Sequence, residues 1–379
     1  MEEINEKRHM TILNFNDEKR ERWMRERKPF SVLFEITAKC NFNCVHCYLQ
    51  HFHNEQIMPY EQIIQIIDIL YDKGILFLTF TGGEILTRKD FPDIYLYAKK
   101  RGFLVELFTN GYCFTDDFIE ILKRYPPLLI DISLYGANEE TYYKVTGVHH
   151  AFERVIENCI KIRDAGVRIS MKSPIIDITL PELNDMKKLA EELDIPFVYT
   201  FDICPTIDKN EEPRNHQVPL DVIFKNEFKN YYLQIANGSR EQISNHDQII
   251  EGLLNNEKVY SCNVAMNSFV IDYRGNMCPC MKLRHRGIKL KEKNYDLIWN
   301  EFKKYGELMA SDQYKCKGCE SIYYCDICPA EMDLLYGDPE YRNLKACKSA
   351  HIRRAFYEDK ISFEQAINLA SLQKGGNDL

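Results

Sequence analysis

The chain has 379 residues, 45% of them apolar and 28% charged, with a formal net charge of −8. That length supports one large core and a smaller module, while the acidic balance removes the electrostatic case for nucleic acid or an anionic membrane surface. No apolar run approaches the ~20 residues of a membrane span, and Met1-Glu-Glu-Ile-Asn-Glu-Lys-Arg8 is too charged for a signal peptide, so a cytoplasmic protein with reduced thiols is expected.

Residues 1–30 are rich in charge (Glu18-Lys-Arg-Glu-Arg-Trp-Met-Arg-Glu-Arg-Lys28) and are expected to form an arm or short helix outside the main domain. The run Ser31-Val-Leu-Phe-Glu-Ile-Thr37 reads as a buried strand, and Cys40-Asn-Phe-Asn-Cys44-Val-His-Cys47 follows it directly. Thiols this close, without a secretory signal, point to a metal or cluster before disulfides. A structural zinc or an electron-transfer cluster takes four protein ligands, whereas a three-thiol site keeps a position open for a ligand. The plainer alternative is a zinc knuckle completed by His46, His51 or His53.

From Ser31 to about Cys204, strands and helices alternate. Strands are expected at 31–37, 75–80, 103–109, 128–134, 167–173 and 197–203. Ile63, Ile66, Ile67 and Leu70 make one helical face closed by Gly74. Phe152, Val155, Ile156, Cys159 and Ile160 make another, and Leu183, Met186, Leu189 and Leu193 a third, opened by Thr179 and Pro181. Repeated strand–helix–strand units imply right-handed crossovers and a parallel sheet, which periodicity alone leaves open or closed into a barrel. In both cases the active site lies at the C-terminal ends of the strands, where the three cysteines fall. The second strand runs into Thr81-Gly-Gly-Glu84, whose glycines are read as letting the backbone approach a ligand and offer carbonyls to an ammonium group. The fourth ends at Ser133-Leu-Tyr-Gly136. Asn110 is read as shaping a turn, Cys113 and Cys159 as packing, and Cys204 as ending the sixth strand on the active-site rim.

Residues 205–220 are polar and proline-rich and read as a loop; 221–257 read as a helical bridge. The segment 258–350 carries eight cysteines: Cys262, Cys278, Cys280, Cys316, Cys319, Cys325, Cys328 and Cys347. Residues 351–379 read as a helix and a polar tail. Eight thiols match two four-ligand clusters, although Cys-x2-Cys pairs also suit a zinc ribbon.

The spacing Cys-x3-Cys-x2-Cys followed by Tyr48 resembles the radical S-adenosylmethionine (SAM) enzymes. The order Cys262, Gly275-x4-Cys280, Cys316-x2-Cys319-x5-Cys325, Cys328, Cys347 resembles their SPASM extension, with two residues rather than three between Cys325 and Cys328. The resemblance implies an α/β fold, a partial (β/α)6 TIM-like barrel over 31–220 followed by a small cysteine-rich iron–sulfur domain. It implies that Cys40, Cys44 and Cys47 hold a 4Fe–4S cluster whose fourth iron binds SAM, and that reductive cleavage of SAM gives a hydrogen-abstracting 5′-deoxyadenosyl radical. His46, Gly82, Gly83, Glu84, Ser133 and Arg154 become cofactor-binding candidates; Tyr135 stands where the family has an aspartate, so only Ser133 is carried over from that segment. Two auxiliary 4Fe–4S clusters are implied, one on Cys316, Cys319, Cys325 and Cys347, the other on Cys262, Cys278, Cys280 and Cys328, making three in all. Cys204 is a catalytic candidate because some radical epimerases return a hydrogen atom from a cysteine.

The substrate class implied is a peptide, modified by thioether or carbon–carbon cross-linking, epimerisation or formylglycine formation. Met281 after Cys280, where sulfatase-maturing members carry an aspartate, weighs against the last. An external electron donor of flavodoxin or ferredoxin type is implied. Because 1–30 is too short for a leader-binding domain, a separate leader-binding protein or the barrel mouth is expected to recognise the substrate. The competing expectations are a radical enzyme for a small metabolite such as a tetrapyrrole, and a non-catalytic electron-transfer protein.

Overall fold

The computed structural model describes residues 22–23, 25–55, 58–236, 257–262 and 264–372. The expected N-terminal arm, the far half of the expected bridge and the polar tail therefore fall mostly outside the described residues.

Six parallel strands carry the first part of the chain: β1 (Ser31–Thr37), β2 (Phe77–Gly82), β3 (Leu104–Thr109), β4 (Leu129–Ser133), β5 (Ile169–Pro174) and β6 (Phe197–Thr200). Between them run α1 (Tyr60–Asp72), α2 (Phe91–Lys100), α3 (Asp116–Arg124), α4 (Glu139–Thr146), α5 (Ala151–Asp164) and α6 (Leu183–Glu192). Period-two alternation sorts the strands. Val32, Phe34, Ile36, Leu78, Phe80, Val105, Leu107, Ile130, Ile132 and Met171 are fully buried under the helices. The helix faces read from the sequence supply much of the other half of that core, with Ile63, Ile66, Ile67 and Leu70 buried on α1, Val155 and Cys159 on α5 and Leu183 and Met186 on α6; Ile162 and Ala190 are buried there too, while Phe152, Ile156, Ile160 and Leu189 are half-buried. The opposite strand face is mixed, carrying Glu35, Thr79, Glu106, Asp131, Ser170 and Lys172 together with Leu33, Phe77, Leu104, Phe108 and Leu129. A TIM barrel fills this space with branched apolar layers; here charged and polar side chains share the lumen with apolar ones. The sheet is not closed, and β6 presents Val198, 55% exposed, on its open side.

Several strand limits shift by one to three residues from the sequence reading, and two of the shifts have a plain reason in the pairing. β2 runs on to Gly82, because Thr81 and Gly82 still pair with Glu35 and Thr37 across an irregular register. β6 stops at Thr200, because β5 offers only Met171–Pro174 to pair with.

The cysteine-rich segment is not a separate layer. β7 (Ser268–Ile271) pairs in parallel with β1, and β8 (Asn276–Cys278) and β9 (Ile288–Lys289) extend it antiparallel, giving the order β6-β5-β4-β3-β2-β1-β7-β8-β9. Phe269 packs between Tyr295 and Trp299 of α8 (Tyr295–Lys303), and Trp299 Nε1 donates to Arg27 O at 2.9 Å. The bridge begins with α7 (Leu220–Ala236). Beyond β9 and α8 lie α9 (Pro329–Tyr336), α10 (Leu344–Tyr357) and α11 (Phe363–Ser371). Phe224 and Phe228 of α7 share a small core with Phe356 of α10 and Ile367 of α11. Among the described residues no helix is long and apolar enough to cross a membrane.

Candidate functional site

The three N-terminal cysteines leave the end of β1 on one loop. That loop is pinned on the far side by α4, where Asn43 N donates to Thr146 O at 2.8 Å and Val45 N to Val145 O at 3.1 Å. Backbone N–H groups point at the sulfurs: Phe42 N lies 3.4 Å from Cys40 Sγ, and Leu49 N lies 3.3 Å from Cys47 Sγ. His53 Nε2 is 3.8 Å from Cys47 Sγ. Burial, then Glu84 and Cys47, push the Cys40 thiol up to about 12. Burial pushes Cys47 up to about 11, and burial with Cys47 and Cys40 drives Cys44 well above the thiol range. The three are thus close enough to oppose one another's ionisation. His46 stays neutral, lowered to about 4 by burial.

β2 ends against this loop, and the geometry gives its glycines a different reason from the one read in the sequence. A Cβ on Gly82 would sit 2.1 Å from Thr37 O, and one on Gly83 would sit 2.4 Å from both Ala38 O and Lys39 O. Gly83 N and Glu84 N donate to Thr37 O and Lys39 O, each at 2.8 Å. The space the glycines free is taken first by the backbone entering the cysteine loop. Glu84 is fully buried, and its carboxylate accepts from Leu86 N at 3.0 Å, Thr109 Oγ1 at 2.7 Å and Asn110 N at 2.6 Å. It locks the ends of β2 and β3 together.

Three residues gain roles that spacing did not suggest. Asn110 does more than shape a turn: its Nδ2 donates to Asn41 Oδ1 at 2.9 Å and lies 3.9 Å from Cys40 Sγ. Tyr135 hydrogen-bonds Cys44 and lies with its ring 5.2 Å from that of His46. Arg88 is buried, donating to Ile36 O at 3.2 Å and Met58 O at 2.7 Å while pairing with Asp90. These are contacts between distant elements, which no local pattern encodes.

Ser133 ends β4 half-buried on the lumen side, next to Tyr135. Arg154 is exposed on α5, where Nε donates to Tyr112 O at 2.9 Å and the guanidinium lies 4.8 Å over the Tyr112 ring. Cys159 is fully buried in the core. Cys113 is half-buried, pushed up to about 11 by burial and Glu84. Cys204 follows β6, half-buried, raised by burial while the Lys282 ammonium acts against that rise.

The C-terminal cysteines fall into two neighbourhoods. Cys316, Cys319, Cys325 and Cys347 line a cavity of about 430 Å3, part of it open to solvent. Burial, then Cys328 and Cys262, raise Cys280 to about 11, which places those three thiols together. Cys278 is fully buried on β8, with its Sγ 3.6 Å from Asn276 O.

The radical SAM superfamily matches residues 34–193, the stretch from β1 through α6. Residues 34–193 form a radical SAM domain. The chain is 25% identical over 335 residues to the AdoMet-dependent heme synthase of Methanosarcina barkeri, covering 82% of the chain and 94% of that protein. It is 26% identical over 264 residues to AlbA, the antilisterial bacteriocin subtilosin biosynthesis protein of Bacillus subtilis, covering 66% of the chain and 55% of AlbA. It shares a fold with Streptococcus suis SuiB bound to the precursor peptide SuiA, with a TM-score of 0.64, 16% identity, and 84% and 76% of the two chains covered. The cysteine-rich C-terminal region fits the SPASM extension, and the unclosed parallel sheet is the partial barrel of this superfamily.

A radical SAM protein carries a 4Fe–4S cluster and SAM, and the loop at the end of β1 fits them. Its three mutually repelling thiols suit the charge of bound iron. Asn41 Nδ2 and His46 Nδ1, on the same loop, are buried polar atoms without a partner, and such atoms ordinarily find one. Among the described residues no three His, Cys, Asp or Glu side chains converge tightly enough for a single metal ion.

Proposed function

We propose that this enzyme abstracts hydrogen from a peptide and installs a thioether or carbon–carbon cross-link, with epimerisation or formylglycine formation as other outcomes of the same step. In this reading Cys40, Cys44 and Cys47 hold the cofactor cluster. Gly82, Gly83, Glu84, Ser133, His46 and Arg154 surround SAM, with the first three acting through the backbone they position. Cys316, Cys319, Cys325 and Cys347 hold one auxiliary cluster; Cys262, Cys278, Cys280 and Cys328 hold the other, within a domain spanning 258–350. Bound together, cluster and SAM supply the reductive cleavage that starts radical chemistry. Thiolate-directed N–H groups on Phe42 and Leu49 stabilise negative charge at the sulfurs and tune the potential at which an external flavodoxin or ferredoxin type donor must deliver its electron.

The observation that carries the peptide reading is the lumen. Asp131 is paired with Lys172 and Ser170, and Glu35 with Arg284. Glu106 accepts from Thr79 Oγ1 at 3.1 Å and has no cation beside it among the described residues. Phe108, half-buried, carries Lys172 Nζ 4.5 Å over its ring. A lumen with polar groups and an uncompensated carboxylate suits backbone amides and cationic side chains, whereas the propionates of a tetrapyrrole call for spare cations. SuiB, of the same fold, binds a precursor peptide, and AlbA serves bacteriocin biosynthesis. The tetrapyrrole reading has specific support in the heme synthase matches, which cover 94% of the Methanosarcina barkeri protein and 89% and 82% of two others.

Anaerobic incubation with SAM, reductant and short peptides encoded beside the gene, followed by mass spectrometry, decides between them. Loss of two hydrogens marks cross-linking or conversion of serine to formylglycine, which an aldehyde-reactive label separates, and deuterium gain in heavy water marks epimerisation. Unaltered peptides beside a consumed tetrapyrrole overturn the proposal.

A further inference from the structure

One buried ion pair joins the cofactor-cluster loop to the cysteine-rich segment. Glu35, on the lumen side of β1, is fully buried, and the Arg284 side chain is 7% exposed. Arg284 Nη1 donates to Glu35 Oε2 at 2.5 Å and Nη2 to Oε1, a two-pronged pair between residues 249 apart in sequence. Tyr48 OH donates to the same carboxylate at 2.7 Å, and the guanidinium lies 4.9 Å over the Tyr48 ring. Arg284 Nε donates to Met281 O at 2.9 Å, and the Arg284 carbonyl is 4.0 Å from Cys278 Sγ. Tyr48 follows Cys47 directly, while Met281 follows Cys280. One guanidinium therefore touches β1, the exit of the first cysteine loop and the segment after the second cysteine set.

The same segment is tied on its other side. Lys282 Nζ donates to Glu331 at 2.7 Å and lies 3.7 Å from Asp202, just past β6. Residues 281–284 thus run between the β1 and β6 lips of the open barrel, with one cation for each lip.

We propose that Arg284 is a positioning residue that fixes the Cys47–Tyr48 end of the cofactor-cluster loop against the Cys278–Cys280 segment, so that the two cysteine sets face one lumen in a set geometry. Its connection to chemistry rests on the reading that both sets hold clusters. Only the planar fork satisfies Glu35 twice while stacking on Tyr48, so lysine, which keeps the charge, does not replace it.

The test is hydrogen exchange on the reconstituted full chain, comparing wild type, Arg284→Lys, Tyr48→Phe and the double variant Glu35→Gln/Arg284→Gln. The double variant leaves no lone buried charge and so guards against simple unfolding. Expected for Arg284→Lys and for the double variant is exchange faster by about tenfold both at 281–287 and at 47–52, the loss of one charged hydrogen bond. Tyr48→Phe is expected to loosen 47–52 alone. The EPR signal of the reduced cofactor cluster should shift in Arg284→Lys while iron content holds. Faster exchange confined to 281–287, with an unchanged EPR signal, overturns the proposal. Wild-type protein that modifies no peptide would overturn the functional reading instead and leave the exchange result intact.

Discussion

At the scale of single residues, the Gly82-Gly83-Glu84 turn shows how a motif is legible while its physics is not. If the glycines served only to let the backbone approach SAM, Gly83→Val would block SAM while sparing the clusters. The contacts argue otherwise, because a Cβ on Gly83 meets two backbone carbonyls of the cysteine loop at 2.4 Å. Backbone cannot rotate aside as a side chain would, so the cost exceeds the ~1–3 kcal/mol of ordinary overpacking. Gly83→Ala and Gly83→Val are both expected to lower the thermal midpoint and to lose iron from the N-terminal site together with SAM binding. A Gly83→Val protein with full iron and no bound SAM would restore the simpler view. Glu84→Gln, by contrast, keeps the shape but turns one acceptor oxygen into a donor facing Asn110 N or Thr109, costing about 1–3 kcal/mol. Calorimetry on the iron-free chain measures this without interference from cofactor loading.

At the scale of elements, the six parallel strands and the α1, α5 and α6 faces were legible because long apolar runs and 3.6-residue spacing are strong signals. β7, β8 and β9 were not, being four, three and two residues long among cysteines and turn residues. Nor could periodicity show that β7 would pair with β1. That pairing has a consequence: a chain ended after α7 would expose the β1 edge, with Val32 and Phe34 beside unpaired backbone. Such an edge is a template for association, and the truncated protein is expected to aggregate where the full chain stays dispersed, as light scattering would show. α9 supplies a pH prediction. Burial raises Glu331, but Lys282 and Arg214 outweigh it and hold the carboxyl below its ordinary range; Asp333 is likewise held down against burial by Arg286 and His285. A depressed folded value means stability fully present above the unfolded value of about 4 and lost as pH falls through the folded one. The thermal midpoint should therefore fall steeply below about pH 4. Glu331→Gln should flatten part of that fall and cost up to about 3 kcal/mol at neutral pH, leaving Lys282 and Arg214 with only the more exposed Asp202 and Glu211. An unchanged acid slope in the variant would remove Glu331 from the account.

At the scale of the whole molecule, fourteen cysteines divide by position into three sets and a remainder, and the fold gives each set its own place. Cys40, Cys44 and Cys47 sit at the C-terminal end of β1; Cys262, Cys280 and Cys328 gather together; Cys316, Cys319, Cys325 and Cys347 line a cavity whose walls include no cysteine of the other two sets. The sequence order made these groupings readable through resemblance to a known pattern, while their arrangement around one continuous nine-stranded sheet was not readable, since it depends on the β1–β7 pairing. If each set holds a cluster, the protein purified without oxygen binds about twelve iron atoms. Alanine at Cys316, Cys319, Cys325 and Cys347 together is expected to remove about four of them. Because that cavity is separate from the loop after β1, the variant should still cleave SAM with a strong reductant, yet fail to turn over peptide. Alanine at Cys40, Cys44 and Cys47 should also remove about four iron atoms but abolish cleavage altogether. Iron and acid-labile sulfide assays with a 5′-deoxyadenosine measurement separate the two variants. Stoichiometric zinc without visible cluster absorbance would end the auxiliary-cluster reading, and equal loss of cleavage in both variants would mean that this cavity holds the barrel in shape rather than serving the substrate.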